Sequence, residues 1–100
     1  MDQRLNKTQI IEFLKEKKEF LSEKYHISVL ALYGSYARDQ ATEQSDIDIV
    51  YENTDSITYQ SFIEAEEYLN SNLPKKVELV NLKYMNPIIK MMAEKDFIYV

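Results

Sequence analysis

The hydrophobic positions near the start of the chain recur at helical spacing. Asn6, followed by Gln9, forms a capping-box pattern, and most of the apolar residues after it lie three, four or seven positions apart: Ile10, Phe13, Leu14, Leu21 and Tyr25. This pattern predicts an amphipathic first helix whose outer face carries the charged residues 15–19. Because opposite charges alternate there, we interpret the run as a solvated helix face rather than a phosphate site.

Two later segments carry the signals of further helices. Residues 53–56 supply turn and cap residues, and an apolar stripe follows that is imperfect at one position: Tyr59, Phe62, Ile63, Glu66 and Leu69. We expect this helix to end at Leu73-Pro74. Asn86-Pro87 predicts the start of a third helix, because Asn is a good cap and Pro at the first helical position lacks an amide that would need a partner.

The strand patterns differ from one another in how polar residues alternate. Ile27–Tyr33 is apolar at four successive positions, which is typical of a central strand covered on both faces. Residues 46–51 alternate instead, with isoleucines on one face and aspartates on the other. Val77–Val80 predicts a third strand, and Phe97–Val100 a short edge strand. Together these elements predict one α/β (α+β) domain over residues 1–100, with a mixed sheet flanked by helices.

Charge and composition exclude several classes of function. Lys and Arg number 12 against 17 Asp and Glu, for a net charge of −5, which argues against direct binding of free nucleic acid. The absence of cysteine excludes disulfides, thiolate zinc sites and cysteine nucleophiles. No stretch resembles a membrane span or a secretory leader, so we expect a cytoplasmic protein without a membrane partner.

The chain has one glycine, Gly34, where the first predicted strand gives way to a short predicted helix through Tyr36-Ala37-Arg38. Backbone amides in such a first turn face outward as anion donors, and glycine lets a phosphate approach the backbone. Ser35 adds a hydroxyl group, and Arg38 adds a cation one turn later. Taken alone, Gly34 and Ser35 would be interpreted as a simple turn and helix cap, and it is the acids further along the chain that favour a phosphate site.

Paired carboxylates mark the second predicted strand. Asp46 and Asp48 stand two positions apart, so both point to one face with Cα atoms about 6.6–6.8 Å apart. Such a pair repels unless a counter-charge is present, and a hard cation such as Mg²⁺ with oxygen ligands is the simplest one. If the strands are neighbours with aligned faces, Glu78 adds a third carboxylate. That set suits two-metal phosphoryl or nucleotidyl transfer, with cations about 3.5–4 Å apart.

Each of these residues also has a structural explanation. Asp46 could close the preceding loop while Asp48 is merely exposed at a sheet edge. Glu78 could be a solvent-facing strand residue, and Arg38 a surface salt-bridge partner. Tyr36, although near the candidate phosphate turn, has the amphipathic character of a core or rim residue and could also touch a nucleotide.

The spacing of these groups resembles a known family. Gly34-Ser35, ten residues, then Asp46-Ile47-Asp48, and later an acid between apolar residues at Val77-Glu78-Leu79, resembles the nucleotidyltransferase motif of the DNA polymerase β superfamily. The resemblance extends from about Ile10 to Val100. In length the chain is similar to the minimal nucleotidyltransferases of prokaryotes, antitoxin-like partners of HEPN-domain proteins. It departs from many relatives at Asp39-Gln40, where they have glycine, and at Glu78, where they have Asp.

The resemblance implies a fold, a reaction and a set of site residues. It implies the nucleotidyltransferase fold, with catalytic and metal-binding roles for Asp46, Asp48 and Glu78 and nucleotide-binding roles for Gly34, Ser35 and Arg38. The implied reaction uses ATP or another NTP with Mg²⁺, two ions being expected, and transfers a nucleoside monophosphate, AMP being expected, to an acceptor.

The implied acceptor is a partner protein. The resemblance implies a HEPN toxin that is modified and thereby neutralised within a hetero-oligomer, in the manner of a type VII antitoxin, since 100 residues leave no room for an acceptor-binding domain. The alternative from another class is a non-catalytic antitoxin that keeps a nucleotide pocket only to assemble with that partner.

Overall fold

The computed structural model describes residues 5–53 and 58–100, in which helices and strands are arranged around a single sheet. The elements in chain order are α1 (Lys7–Tyr25), β1 (Ile27–Tyr33), β2 (Ile47–Asn53), α2 (Tyr59–Asn72), β3 (Val77–Asn81), α3 (Pro87–Ala93) and β4 (Ile98–Tyr99), with 3-10 helices at Leu82–Tyr84 and Glu94–Asp96. The strand order is β3-β2-β1-β4. Strands β2 and β3 are parallel and the other pairs antiparallel, so the predicted mixed sheet is confirmed.

Local cap chemistry sets the helix boundaries. The Asn6 side chain accepts a hydrogen bond from the Gln9 amide at 2.9 Å, and the Gln9 side chain accepts one from the Asn6 amide at 3.0 Å, which completes the predicted capping box. Asn86 caps α3 through the Ile88 amide at 2.9 Å, with proline at the first helical position. Most of the cap residues predicted at 53–56 lie outside the described residues.

Helices α1 and α2 cover one face of the sheet, called here the helix face. The core cluster there joins residues from both helices with alternate residues of the strands: Ile10, Leu14, Leu21, Ala65, Leu69, Ile27, Val29, Leu32, Ile47, Ile49, Tyr51 and Val77. Burial of this apolar surface is the main stabilising contribution to the fold. No helix in the described part of the chain has both the length and the apolar character of a membrane span.

A β-bulge in β1 changes which of its residues face the helices. The register shifts between Val29 and Ala31, so that Val29 opposes Tyr51 and Leu32 opposes Ile49. The run of successive apolar residues in β1 therefore has two causes. The bulge changes which residues face the helices, and β1 is an interior strand of the sheet. Beyond the bulge, Tyr33 points to the opposite face of the sheet.

Two predicted boundaries need correction. Strand β2 begins at Ile47, so Asp46 is the last residue of the preceding loop rather than the first of the strand. The short helix predicted through Tyr36-Ala37-Arg38 is also wrong, because residues 35–39 form turns.

Candidate active site

The sheet register brings Asp48 and Glu78 side by side. Asp48 of β2 pairs with Glu78 of β3 and, on its other side, with Tyr33 of β1. Residues directly opposed in a sheet point to the same face, so these three form one row across three strands. We call this side of the sheet the acid face. A shared carboxylate site requires neighbouring strands whose faces are aligned. Asp48 and Glu78 meet this condition.

The row is electrostatically unfavourable in the absence of a counter-charge. The pKa of the Asp48 carboxyl is raised from 3.8 to about 6, first by burial and then by the negative charges of Glu78 and Asp46 and a hydrogen bond with Glu78. The nearby positive charge of Arg38 acts against this rise. A carboxyl group with such a pKa is mostly ionised at neutral pH, but its charged form is disfavoured by poor solvation and by the neighbouring carboxylates.

Gly34 is in direct contact with Asp48. A Cβ atom built on Gly34 would overlap Oδ2 of Asp48 and lie 3.2 Å from its Cγ, and the Gly34 φ of 80° is one that other residues rarely adopt. The one glycine of the chain is therefore needed both for its backbone conformation and for the space that the carboxylate occupies. This contact joins the Gly-Ser turn to the row formed by Tyr33, Asp48 and Glu78, called here the acid row.

The segment after Gly34 is a compact turn rather than a helix. The Gln40 amide donates to the Ser35 carbonyl at 2.8 Å, and the Asp39 amide donates to the Tyr36 carbonyl at 3.3 Å. With Asp39 in the left-handed region, at φ 58°, this is the Schellman geometry in which glycine is common. The departure from relatives at this position thus has a structural meaning, since aspartate tolerates that conformation better than most residues.

The start of this turn leaves backbone donors available. Within the described chain, the amides of Ser35, Tyr36 and Ala37 donate no hydrogen bond to a backbone oxygen, whereas those of the three following residues do. Successive free amides of this kind form a concave anion site. The turn therefore has the geometry expected of a phosphate-binding segment, although it is not a helix.

Arg38 forms a surface ion pair, as expected if it serves as a salt-bridge residue. Its Nη1 lies 3.6 Å from Oδ2 of Asp96, and its Nε donates to the Gln40 side chain at 3.3 Å. Its charge nevertheless reaches Asp48, as the opposing effect on the pKa of that carboxyl shows. No local pattern in the sequence pointed to Asp96, because the pairing depends on how the end of the chain folds back beside β1.

The carboxylate oxygens of the site are the type of ligand that Mg²⁺ prefers, but they do not converge on one point. Asp48 lies partly buried beside the negative charges of Glu78 and Asp46, all of which raise its pKa. Among residues 5–53 and 58–100, however, no three His, Cys, Asp or Glu side chains lie close enough together to hold a metal ion. Glu78 is half exposed and lies 3.7 Å from the Lys76 ammonium.

Aromatic side chains continue the row toward the edge strand. Tyr33 contacts Phe97 edge to face with ring centroids 5.7 Å apart, and Phe97 contacts Tyr99 in the same way at 5.9 Å. The pKa of Tyr33 is raised by burial and by the charges of Asp48 and Glu78. Tyr36, by contrast, is buried in the core and not available to a nucleotide. Sequence reasoning missed Tyr33, although strand alternation beside the acids could have signalled it.

A mixed sheet flanked by helices, with paired acids beside a Gly-Ser turn, is the arrangement of a nucleotidyl-transfer enzyme. The chain belongs to the nucleotidyltransferase domain family, whose profile matches residues 14–100. It is therefore a transferase.

Relatives of the chain carry more specific names. It is 44% identical over 94 residues to a candidate protein adenylyltransferase of Methanocaldococcus jannaschii, MJ0128, covering 93% of this chain and 96% of that one. It is 32% identical over 92 residues to the protein adenylyltransferase MntA of Thermococcus cleftensis, covering 92% and 93% respectively. These relatives match nearly the whole length of the chain.

Solved structures share the fold. A candidate minimal nucleotidyltransferase superposes with a TM-score of 0.78 at 18% identity, covering 99% of this chain and 100% of that one. A toxin-antitoxin structure with AMP-PNP gives 0.57 at 27%, covering 85% and 64%. A complex of a tri-AMPylated Shewanella oneidensis HEPN toxin with its MNT antitoxin gives 0.56 at 23%, covering 98% and 71%. The first and third likenesses establish the fold alone.

Proposed function

We propose that this chain uses ATP and Mg²⁺ to transfer AMP to a side chain of a HEPN-domain partner and so acts as its antitoxin. The observation that carries the proposal is the contact between Gly34 and the Asp48 carboxylate. Because of it, a phosphate bound at the turn lies beside the acid row. The relatives' names, protein adenylyltransferase, support both AMP as the transferred group and a protein as its acceptor. The choice of a HEPN protein follows from the solved complex of an AMPylated HEPN toxin with an MNT antitoxin that shares this fold.

The chain's own residues have distinct roles in the proposed reaction. The free amides of the turn and the Ser35 hydroxyl bind the nucleotide phosphates, while Arg38 exchanges Asp96 for a phosphate oxygen. The nucleophilic atom of the acceptor attacks the α-phosphorus, the bond from that phosphorus to the bridging oxygen breaks, and pyrophosphate leaves. The acceptor's proton passes to a carboxylate of the acid row or to water.

Asp46, Asp48 and Glu78 are the residues that would hold Mg²⁺. When bound, the ion would neutralise phosphate charge and the mutual repulsion of these carboxylates. Asp48 must be ionised to act as a ligand, so nucleotide binding that depends on Mg²⁺ should strengthen as the pH rises through about 6 and then level off. ATP affinity that EDTA does not change would contradict this assignment.

The test is the mass of a HEPN-domain protein after its co-expression with this chain. We expect partner purified with the wild type to gain the mass of one or more AMP groups, and partner purified with Asp48→Asn to gain none. Glu78→Gln should slow transfer by orders of magnitude, with Glu78→Asp milder. Glu52→Gln is the matched control, because it removes an exposed carboxylate at the far end of the same strand.

Two results would overturn the proposal. An equal mass gain with Asp48→Asn would remove the acid row from the reaction. Neutralisation of the partner without added mass, by both the wild type and Asp48→Asn, would establish the non-catalytic antitoxin instead.

A further inference from the structure

Helix α3 leaves its apolar side chains in solvent. Ile88, Ile89, Met91 and Met92 are 66%, 58%, 63% and 65% exposed, and Tyr84, just before the helix, is 75% exposed. We call these five residues the α3 patch. At the α-helical rotation per residue, the four helix positions span an arc of about 160°. Soluble monomers rarely expose contiguous apolar surface of this extent, and such surface usually marks a binding site.

The helix is ordered by its own contacts rather than by a partner. Asn86 caps it by accepting from the Ile88 amide at 2.9 Å, and Pro87 presets its first turn. At the other end the Lys90 ammonium lies 3.7 Å from the Glu94 carboxylate. A preformed helix loses little conformational entropy on binding, which favours a role as a rigid docking element.

The charges near the α3 patch help to distinguish two possible partners, a second copy of this chain and a different protein. Residues 82–93 contain Lys83 and Lys90 and no Asp or Glu, although the chain as a whole carries −5. Because Lys90 lies 3.7 Å from the Glu94 carboxylate, Lys83 is the cation near the patch without a carboxylate partner among the described residues. A two-fold dimer that brought two copies of Lys83 together would be unfavourable. An apolar groove with a rim of carboxylates on a different protein complements the patch in both shape and charge.

The patch is continuous with the candidate active site. Helix α3 leads directly into the 3-10 helix Glu94–Asp96, whose Asp96 lies 3.6 Å from the Arg38 guanidinium. The next residue, Phe97, contacts Tyr33 in the row that holds Asp48. A protein bound to α3 is therefore held one short helix away from the groups that would bind the phosphates.

We infer that the α3 patch is the docking surface for the protein acceptor, which takes α3 into an apolar groove rimmed by carboxylates. The inference rests on the proposed function and adds to it the surface by which the acceptor is held. Docking and chemistry then use separate residues of this chain, and substitutions can separate them.

The test compares binding and transfer in three variants. The double variant Ile89→Asp/Met92→Asp and the charge reversal Lys83→Glu should each weaken binding of the HEPN partner by about tenfold or more in calorimetry. Tyr59→Asp is the matched control, since that side chain is 79% exposed on α2. ATP affinity should be unchanged in all three, and AMP transfer by the patch variants should recover at high partner concentration, because docking affects KM rather than kcat.

The outcomes are distinguishable from those that test the proposed function. Normal partner binding by the patch variants would overturn the inference while leaving AMP transfer intact. Loss of binding in a system where the wild type transfers no AMP would support the docking surface and contradict the enzyme. A concentration-dependent dimer of this chain alone, or binding to phosphatidylserine vesicles, would assign the patch to a second copy or a membrane if the double variant abolished it, and would overturn the inference.

Discussion

The two faces of the sheet use neighbouring residues of the same strands for opposite purposes. On the helix face, Ile47 and Ile49 are fully buried and pack against α1 and α2. Between them, Asp48 points to the acid face beside Glu78. Burial of the isoleucines stabilises the fold, whereas two adjacent carboxylates destabilise it. The helix face therefore supplies the stability that offsets the repulsion between the carboxylates on the acid face.

The acid face is not simply polar. Ala31 and Val50 oppose each other one row from Asp48, and both are fully buried although they lie outside the core cluster of the helix face. This apolar row places the Asp48 carboxyl in a poorly solvated position, which accounts for burial as the main cause of its raised pKa. The site therefore combines low polarity with concentrated negative charge, a combination that favours a bound cation.

The largest expected effect on stability is on the helix face. Ile49→Ala should lower the free energy of unfolding by about 2–5 kcal/mol, because it leaves a cavity between the sheet and the helices. Urea unfolding at pH 4.5 and pH 8 should give the same loss, since no titrating group is touched. Nucleotide affinity per folded molecule should stay near that of the wild type. A fall in that affinity would break the proposed separation of the two faces.

An intermediate effect is expected where the turn meets the acid row. Gly34→Ala should cost about 1–2 kcal/mol for the left-handed conformation, with an additional loss from overlap with the Asp48 carboxylate. In an Asp48→Ala background the overlap disappears, so the same substitution should cost less. A double-mutant cycle on urea unfolding measures this coupling. Equal costs in both backgrounds would mean that the contact does not constrain Gly34.

The smallest expected effect is a pH-dependent gain from Asp48→Asn. The pKa of about 6 in the folded chain lies above the ordinary value of 3.8, so ionisation of Asp48 destabilises the wild type as the pH rises from about 4 to 6. The asparagine variant should match the wild type near pH 3.5. At pH 8 it should be more stable by about 1 kcal/mol, after allowance for solvent screening.

The control for this pH dependence is Glu52→Gln, which changes an exposed carboxylate of the same strand. It should show no comparable difference between pH 3.5 and pH 8 in urea unfolding. A stability difference between Asp48→Asn and the wild type that is constant with pH would be the contrary result. It would show that burial and the neighbouring carboxylates do not disfavour the ionised form of Asp48.

Much of the fold was predictable because its signals are local. The Asn6 and Asn86 caps act within one helical turn, so the sequence predicts both helix starts correctly. The alternation of apolar and acidic residues in β2 likewise predicts that the Asp48 side chain points to the face of the sheet opposite to Ile47 and Ile49. The short helix after Ser35 was predicted wrongly, because the left-handed Asp39 closes the segment before a second turn can form.

Local patterns were enough to specify most of the elements, the sheet face toward which Asp48 and Glu78 point and the place of the one glycine, since these depend on residues a few positions apart. Long-range contacts place Glu78 beside Asp48, turn Tyr33 toward them through the bulge and bring Asp96 to Arg38. The tertiary structure also leaves the apolar side chains of α3 exposed, although the composition of this helix resembles that of a buried helix. Strand register and side-chain burial depend on contacts between distant segments, which no local pattern specifies.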